Sequence, residues 1–156
     1  TEFEIRIVGD GNQRNELDNH ASEIGVSDKV NFVGEVPYSE LKYEYSKADV
    51  FVHPGIWPEP FGRTLLEAMQ AALPIVATDI GGPADIISTE ELLCPPADAA
   101  ALADAIEYAA EQRDVIGVEN KKRVSCKYDP DRICDSIINV YKEVIEENRD
   151  STVTPQ

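Results

Sequence analysis

A chain of 156 residues with 30 acidic and 14 basic side chains carries a formal net charge of −16. That length fits one domain with a core of its own, and so acidic a surface excludes nucleic acid and anionic membranes as partners, because phosphate neutralisation needs clustered Lys and Arg. No stretch approaches the roughly 18–20 consecutive apolar residues of a membrane span, and no signal-peptide pattern is present, so a cytoplasmic protein is expected.

In chain order, residues 3–8 read as a first strand, rich in Ile and Val and closed by Gly9-Asp10-Gly11. Leu17, Ala21 and Ile24 mark a helix, and residues 30–33 a second strand. Leu41, Tyr45 and Ala48 mark the next helix, with Ser39 as its expected cap. Residues 49–53 and 74–78 are short apolar runs of the kind buried parallel strands show. Between them Leu65, Leu66, Met69 and Ala72 recur at helical spacing. Residues 91–94 make a fifth strand. Asp98 then caps a helix marked by Leu102, Ala103, Ile106 and Ala110. After Asp129-Pro130, the stripe Ile133, Ile137, Tyr141 and Val144 predicts a last helix. Strand–helix alternation with short connections predicts an α/β, Rossmann-like doubly wound parallel sheet. One lobe is expected over residues 1–147, followed by a polar, disordered tail at 148–156. Cys94, Cys126 and Cys134 form no CxxC pair, and with two histidines a zinc site is not expected. Reduced thiols are the simpler reading.

Trp57-Pro58-Glu59-Pro60-Phe61-Gly62-Arg63-Thr64-Leu65-Leu66-Glu67-Ala68-Met69 is the stretch richest in chemistry. Two carboxylates, Glu59 and Glu67, flank a Pro-Phe-Gly turn that enters an amphipathic helix at Phe61 or Gly62. A helix N-terminus offers unpaired N–H donors and a positive dipole end, which suit an anion. Glu67 falls about one and a half turns into the helix. Acceptor carboxylates around a phosphate cradle suit a ligand with phosphates and sugar hydroxyls, the description of a nucleotide sugar. In doubly wound sheets ligands bind beyond the carboxyl ends of the strands. Gly9, Gly11, Gly34, His53, Thr78, Gly81 and Gly82 follow strands and fall at that edge. Each also has a plainer reading. Gly9-Asp10-Gly11 lacks the third glycine of a dinucleotide fingerprint, Arg14 standing there, so NAD is not expected. His53 is either a catalytic base or a residue lining the cleft. Gly81-Gly82 is either a loop or a set of N–H donors facing a phosphate or sugar. Trp57 reads as a packing lid rather than a sugar platform. A Glu on a mostly apolar helix face is costly unless it has a partner, which favours a functional reading of the two carboxylates.

The motif resembles the E-x7-E motif of retaining glycosyltransferases of the two-Rossmann-domain (GT-B) type, family 4. The likeness runs on in order through roughly residues 3–112. Ile5-Arg6-Ile7-Val8-Gly9-Asp10-Gly11 is similar to the family's "IVGDG" turn, and Val30-Asn31-Phe32-Val33-Gly34 to "V-x-F-x-G". Ala48-Asp49-Val50-Phe51-Val52-His53-Pro54 resembles "ADVFVxPS". Pro74-Ile75-Val76-Ala77-Thr78, Gly81-Gly82-Pro83-Ala84-Asp85-Ile86-Ile87 and Leu93-Cys94-Pro95-Pro96-Ala97-Asp98 resemble "PVVAT", "GGxxEIV" and "LVPPGD". The resemblance implies the C-terminal, donor-binding lobe of such an enzyme. Glu67 would accept hydrogen bonds from the ribose hydroxyls, and Glu59 would contact the donor sugar near its anomeric carbon. Backbone N–H groups of Phe61, Gly62, Arg63 and Thr64 would hold the distal phosphate, with Pro60 setting the turn. Gly9 and Gly11 would lie near the nucleotide. The loop from Gly34 through Val36 to Pro37 would line the base. The reaction implied is transfer of a sugar from a nucleotide diphosphate sugar to an acceptor hydroxyl with retention, with no metal and no further cofactor.

This sequence departs from the family pattern in places. The family's lobe begins one strand earlier, with a "GRL…KG" segment whose Arg and Lys clamp the diphosphate. Here the chain opens on what resembles the second strand, so the first strand, the clamp and the N-terminal acceptor lobe are expected to be missing. In a 3-2-1-4-5-6 order the missing strand is central. The first strand here is therefore expected to pair directly with the Asp49–His53 strand, or to leave an edge through which chains self-associate. The isolated chain is expected to be inactive in transfer and to bind nucleotide diphosphates weakly. Ala72 stands where "AxGxP" has Gly, Gly55 where the family has Ser, and Glu91 near a usual Gly. Two alternatives remain open: a non-catalytic nucleotide or sugar-phosphate binding module, such as a subunit of a split enzyme, and a nucleotide-sugar epimerase lobe using carboxylates and His53 as acid and base.

The charge excess itself is consistent with a halophilic source or with an acidic mesophilic domain. Self-repulsion at low ionic strength is relieved by screening. The halophilic reading expects thermal stability to climb steeply from tens of millimolar towards molar KCl. A melting temperature that stays flat across that range refutes it.

Overall fold

In the computed structural model, which describes residues 3–151, strands and helices alternate as the sequence leads one to expect. The order is β1 (Ile5–Val8), α1 (Arg14–Glu23), β2 (Val30–Gly34), α2 (Leu41–Tyr45), β3 (Phe51–His53), α3 (Arg63–Gln70), β4 (Ile75–Thr78), α4 (Gly82–Ile86), β5 (Leu93–Cys94), α5 (Ala99–Glu111), α6 (Arg113–Lys127) and α7 (Pro130–Ser151). Every strand pair is parallel. The chain divides into two compact units, Thr1–Ala48 and Asp49–Gln156.

In the first unit β1 pairs with β2, from Ile5↔Val30 to Ile7↔Phe32, and the register then slips so that Val8 faces Gly34. Arg6 on β1 ties α2 to the sheet: its guanidinium Nη2 lies 2.7 Å from Glu44 Oε2, and Nη1 lies 3.0 Å from Glu4. Hydrogen bonds from Lys47 and then Arg6 hold the Glu44 carboxyl below its ordinary pKa. Ser39 does not cap α2. Glu40 N–H donates to Pro37 C=O at 2.8 Å, which winds Tyr38–Glu40 into a 3-10 turn and puts Ser39 inside it. Glu40 occupies the capping position instead, with no side-chain cap bond.

The second unit is built on β4. Its run Ile-Val-Ala-Thr is buried at every position, because β4 is the middle strand of the sheet β3-β4-β5 and has no solvated face to alternate towards. Phe51↔Ile75 and His53↔Ala77 set one register, and Ala77↔Leu93 the other. Val76, Leu92, Ala105, Ala109 and Ile116 form the core beside it, with Leu102, Ile106 and Tyr108 packed against them. Asp98 caps α5 as expected, its Oδ1 accepting from Ala101 N–H at 3.0 Å. The strands of the described residues form one two-stranded and one three-stranded sheet.

Two helices lack a sequence signal. α4 opens on Gly82-Pro83, where the proline's missing N–H costs nothing. α6 buries only Ile116, Gly117 and Val124, too few to make an apolar stripe. Gly117 explains its fit: a Cβ there would stand 2.2 Å from the Ala72 carbonyl oxygen, so only glycine lets α6 approach the end of α3. Asn120 Nδ2 then donates to the Leu73 carbonyl at 2.8 Å. α7 follows its predicted stripe, but Ile133, Ile137, Tyr141 and Val144 are all more than two-fifths exposed. It continues to Ser151 through the start of the expected polar tail. The rest of that tail lies outside the described residues.

The departure from glycine at Ala72 has a measurable consequence. α3 closes at Ala71, and Ala72 follows in the left-handed region at φ 59°. A left-handed L-residue is strained by about 1–2 kcal/mol, while glycine adds roughly 0.4–1 kcal/mol of unfolded-state entropy. Ala72→Gly is therefore expected to stabilise the chain by about 0.5–1 kcal/mol, read from the urea midpoint. A lowered midpoint contradicts the strain argument.

Candidate functional site

β3 ends at His53, and the segment Pro54–Gly62 then leads into α3. Gly62 is the capping residue, in the left-handed conformation at φ 84° and ψ 69°. The helix thus begins at Arg63, one or two residues later than the sequence suggests. The left-handed turn at Gly62 is what delays it: a Cβ there would stand 2.7 Å from Leu65 Cδ1. Arg63 and Thr64 are the first helical residues, and their N–H groups have no intrahelical acceptor. Leu65, Ala68 and Met69 anchor α3 by burying its apolar face. Glu67 sits on the same helix, half-buried.

Gly81 and Gly82 hold this segment from the other side. Gly81 bridges to Glu59 in parallel fashion, and Gly82 N–H donates to the Glu59 carbonyl at 2.7 Å. A Cβ on Gly81 would lie 2.6 Å from Glu59 O. One on Gly82 would lie 2.5 Å from Pro60 O and 2.6 Å from Phe61 Cα. Gly81 also sits at φ 69° and ψ −143°, a conformation open to glycine. The two glycines act as a backbone contact for the carboxylate segment. The N–H of Gly82 serves Glu59 and does not face a ligand. The Gly-Gly-Pro sequence after a strand was the available signal for this close approach.

The Glu59 side chain is held as well. His53 Nε2 lies 2.9 Å from Glu59 Oε2, with the two side chains 22% and 39% exposed. His53 therefore meets a carboxylate. Thr78, at the end of β4, donates its hydroxyl to the Gly55 carbonyl. Phe61 packs edge-on against Tyr128, with ring centroids 5.9 Å apart. Trp57 is 80% exposed and does not act as a packing lid.

The remaining expected site residues lie in the first unit. Gly9, at φ 123°, donates its N–H to the Gly34 carbonyl at 2.8 Å. Gly34 is itself left-handed at φ 81°, and Val36 beyond it is half-buried. Gly11 N–H donates to Asp10 Oδ1 at 2.7 Å, a bond between neighbouring residues of the turn. Arg14 organises this corner. It donates to the Phe32 carbonyl at 3.1 Å and lies 3.7 Å from Asp10 Oδ2, with its guanidinium over the Phe32 ring. The sequence marked Arg14 only as a missing glycine. The unit thus brings Gly9 and Gly34 together, as the second unit brings together His53, Glu59 and the turn Pro60–Thr64.

A separate pocket of about 200 Å³ opens beyond the ends of β3, β4 and β5, lined by Pro54, Ile56, Thr78, Cys94, Asp98 and Leu102 among others. Burial, and then Asp98, raises the pKa of its Cys94 thiol. Neither Glu59 nor Glu67 lines it. No described helix is long and apolar enough to cross a membrane.

Comparison with known proteins fits this geometry. Residues 1–129 match the family "Glycosyl transferases group 1". An uncharacterized glycosyltransferase of Methanocaldococcus jannaschii is 36% identical over 90% of this chain and 37% of its own length. A GDP-mannose-dependent alpha-mannosyltransferase of Mycolicibacterium smegmatis is 33% identical over 92% of this chain and 37% of its own. The chain thus spans well under half the length of these relatives. Among solved structures, sucrose-phosphate synthase from Thermosynechococcus elongatus superposes with a TM-score of 0.78 at 30% identity, over 91% of this chain and 38% of that one. Anabaena HepE in complex with UDP gives a TM-score of 0.82 at 24% identity, over 90% of this chain and 41% of that one, a likeness of fold. The chain belongs to the group 1 glycosyltransferases, and its α/β fold is that of their GT-B C-terminal domain.

Proposed function

We propose that the chain is the donor-binding lobe of an enzyme that transfers a sugar from a nucleotide diphosphate sugar to an acceptor hydroxyl with retention. The carrying observation is the segment Glu59–Thr64, fixed by Gly81 and Gly82 on one side and opening into α3 on the other. In this reading Glu67 accepts hydrogen bonds from the ribose hydroxyls and Glu59 from hydroxyls of the donor sugar. The backbone donors at the start of α3 hold the distal phosphate. In the transfer the bond from the anomeric carbon to the diphosphate oxygen breaks. A bond from that carbon to the acceptor oxygen forms, and the acceptor proton passes to the departing diphosphate oxygen, which keeps the electron pair of the broken bond. The lobe's part is electrostatic: donors aimed at the phosphate stabilise charge as the leaving group separates. Related structures described in complex with UDP and UDP-glucose, and a relative described as GDP-mannose-dependent, support this donor class. Transfer is proposed for the full-length protein, in which a second lobe supplies the acceptor, and the isolated chain is expected to bind donor weakly and not to transfer it.

In the full-length protein Glu67→Ala is expected to leave the fold intact and weaken nucleotide-sugar binding by about 2–3 kcal/mol, the loss of charge-assisted hydrogen bonds to two hydroxyls. Calorimetry that finds the affinity unchanged in a folded variant rejects the role. Gly82→Ala tests the backbone contact. Its methyl has to push aside the Pro60 carbonyl and Phe61, so a stability loss of about 1–3 kcal/mol in urea is expected, with weaker nucleotide binding. A variant as stable as the parent, with unaltered binding, shows that the close approach is not required.

A further inference from the structure

Glu59 is fixed at two levels by different parts of the second unit. Its carbonyl accepts from Gly82 N–H at 2.7 Å. Its carboxylate meets His53 Nε2 at 2.9 Å through Oε2. His53 in turn is fixed by the sheet, since it closes β3 opposite Ala77 of β4. At that distance the ring nitrogen and the carboxylate oxygen are in direct polar contact. A carboxylate on a loop side chain has several rotamers. Polar contact with a strand-borne ring selects among them.

Gly55 lies beside this contact. A Cβ at Gly55 would stand 3.6 Å from His53 Nε2 and 3.9 Å from Cδ2, ordinary van der Waals distances. A serine at this position would carry its hydroxyl one bond beyond that carbon, within reach of the same nitrogen. That hydroxyl would compete with Glu59 for His53. The glycine at 55 and the histidine at 53 therefore act together.

We propose that His53 is a positioning residue for Glu59: it holds Oε2 so that Oε1 is presented to the sugar of a nucleotide diphosphate sugar, and Gly55 protects that pairing. His53 itself does not touch the nucleotide. The inference rests on the donor-binding reading above, and it assigns discrimination between a nucleotide sugar and the bare nucleotide to the pair His53–Glu59.

The test uses the whole chain, with UDP-glucose and UDP as probes in parallel calorimetric titrations. His53→Phe is expected to lower affinity for UDP-glucose about tenfold while UDP stays within about twofold, since the polar contact that holds Glu59 is lost. His53→Gln, whose amide keeps an N–H donor, restores most of the UDP-glucose affinity, and Gly55→Ser gives an intermediate loss. A separate ligand-free measurement follows the His53 ring N–H by proton NMR. Its protected resonance is expected in the parent chain and is lost in Glu59→Gln. Equal losses for UDP and UDP-glucose in His53→Phe overturn the positioning role, as does an unchanged ratio in a folded variant. A ring proton insensitive to Glu59→Gln overturns the pairing. Failure of the parent chain to bind either probe, with the ring proton still sensitive to Glu59, rejects the donor-binding reading and the positioning role built on it, and leaves only the pairing.

Discussion

The contact between Gly81-Gly82 and the backbone of Glu59, Pro60 and Phe61 is the constraint on which the candidate site depends. Distances of 2.5–2.7 Å from the missing Cβ atoms to that backbone mean that any side chain there would displace the segment. Close packing of backbone on backbone transmits position without the rotamer freedom of a side-chain contact. The hydrogen bond from Gly82 to Glu59 then fixes the height of the segment relative to the end of β4. Thr78 does the same for Gly55 at the other end of the loop. Pro54, Pro58 and Pro60 each fix φ near −65°, so little freedom remains between these anchors. A surface loop is thereby given the precision that a binding site needs.

How much of this was legible in the sequence varies with the kind of signal. The apolar runs at 49–53 and 74–78 predicted buried parallel strands because a strand covered on both faces has no polar alternation to show, and β4 is covered throughout. Asp98 predicted a cap because its side chain competes for the first-turn donors, and it does so here. Ser39 failed by the same rule because Pro37 starts a 3-10 turn ahead of it, a choice set by backbone geometry and not by capping preference. α6 escaped detection because a glycine, not an apolar stripe, makes its closest contact. The carboxylates were legible as types and spacing. Their fixation was not, since neither the Gly82–Glu59 bond nor the His53–Glu59 pair connects residues within one helical turn. α7 marks a further limit. Periodicity predicted the helix but could not say whether its stripe is covered, and within this chain it is largely open.

Ala72 and Ala97 show how far the fold tolerates departures from its family's pattern. Both are left-handed, at φ 59° and 61°, and the resembling patterns place glycine at each. The backbone path is therefore set by the elements on either side. α3 has to end for β4 to begin at Ile75, and Leu73 N–H reaches back to the Ala68 carbonyl to close it. At Gly117, Gly81 and Gly82 no such tolerance exists, because backbone atoms fill the space a side chain would need. Conformational strain of a kilocalorie or two is absorbed by packing around it, whereas overlap with a carbonyl oxygen is not.

Electrostatics then decides what kind of anion site the second unit can offer. The chain's net charge of −16 opposes a dianionic ligand, and Arg63 is the one cationic side chain between Trp57 and Met69. Long-range repulsion and short-range donation respond differently to salt. The field of distant surface carboxylates is screened over a Debye length of about 10 Å at 0.1 M ionic strength and about 3 Å at 1 M. Backbone N–H groups in contact with a phosphate oxygen act inside that length and are screened much less. A cradle of backbone donors in an acidic protein therefore becomes more effective as ionic strength rises, the opposite of a site built from clustered Lys and Arg, whose long-range attraction fades under the same conditions.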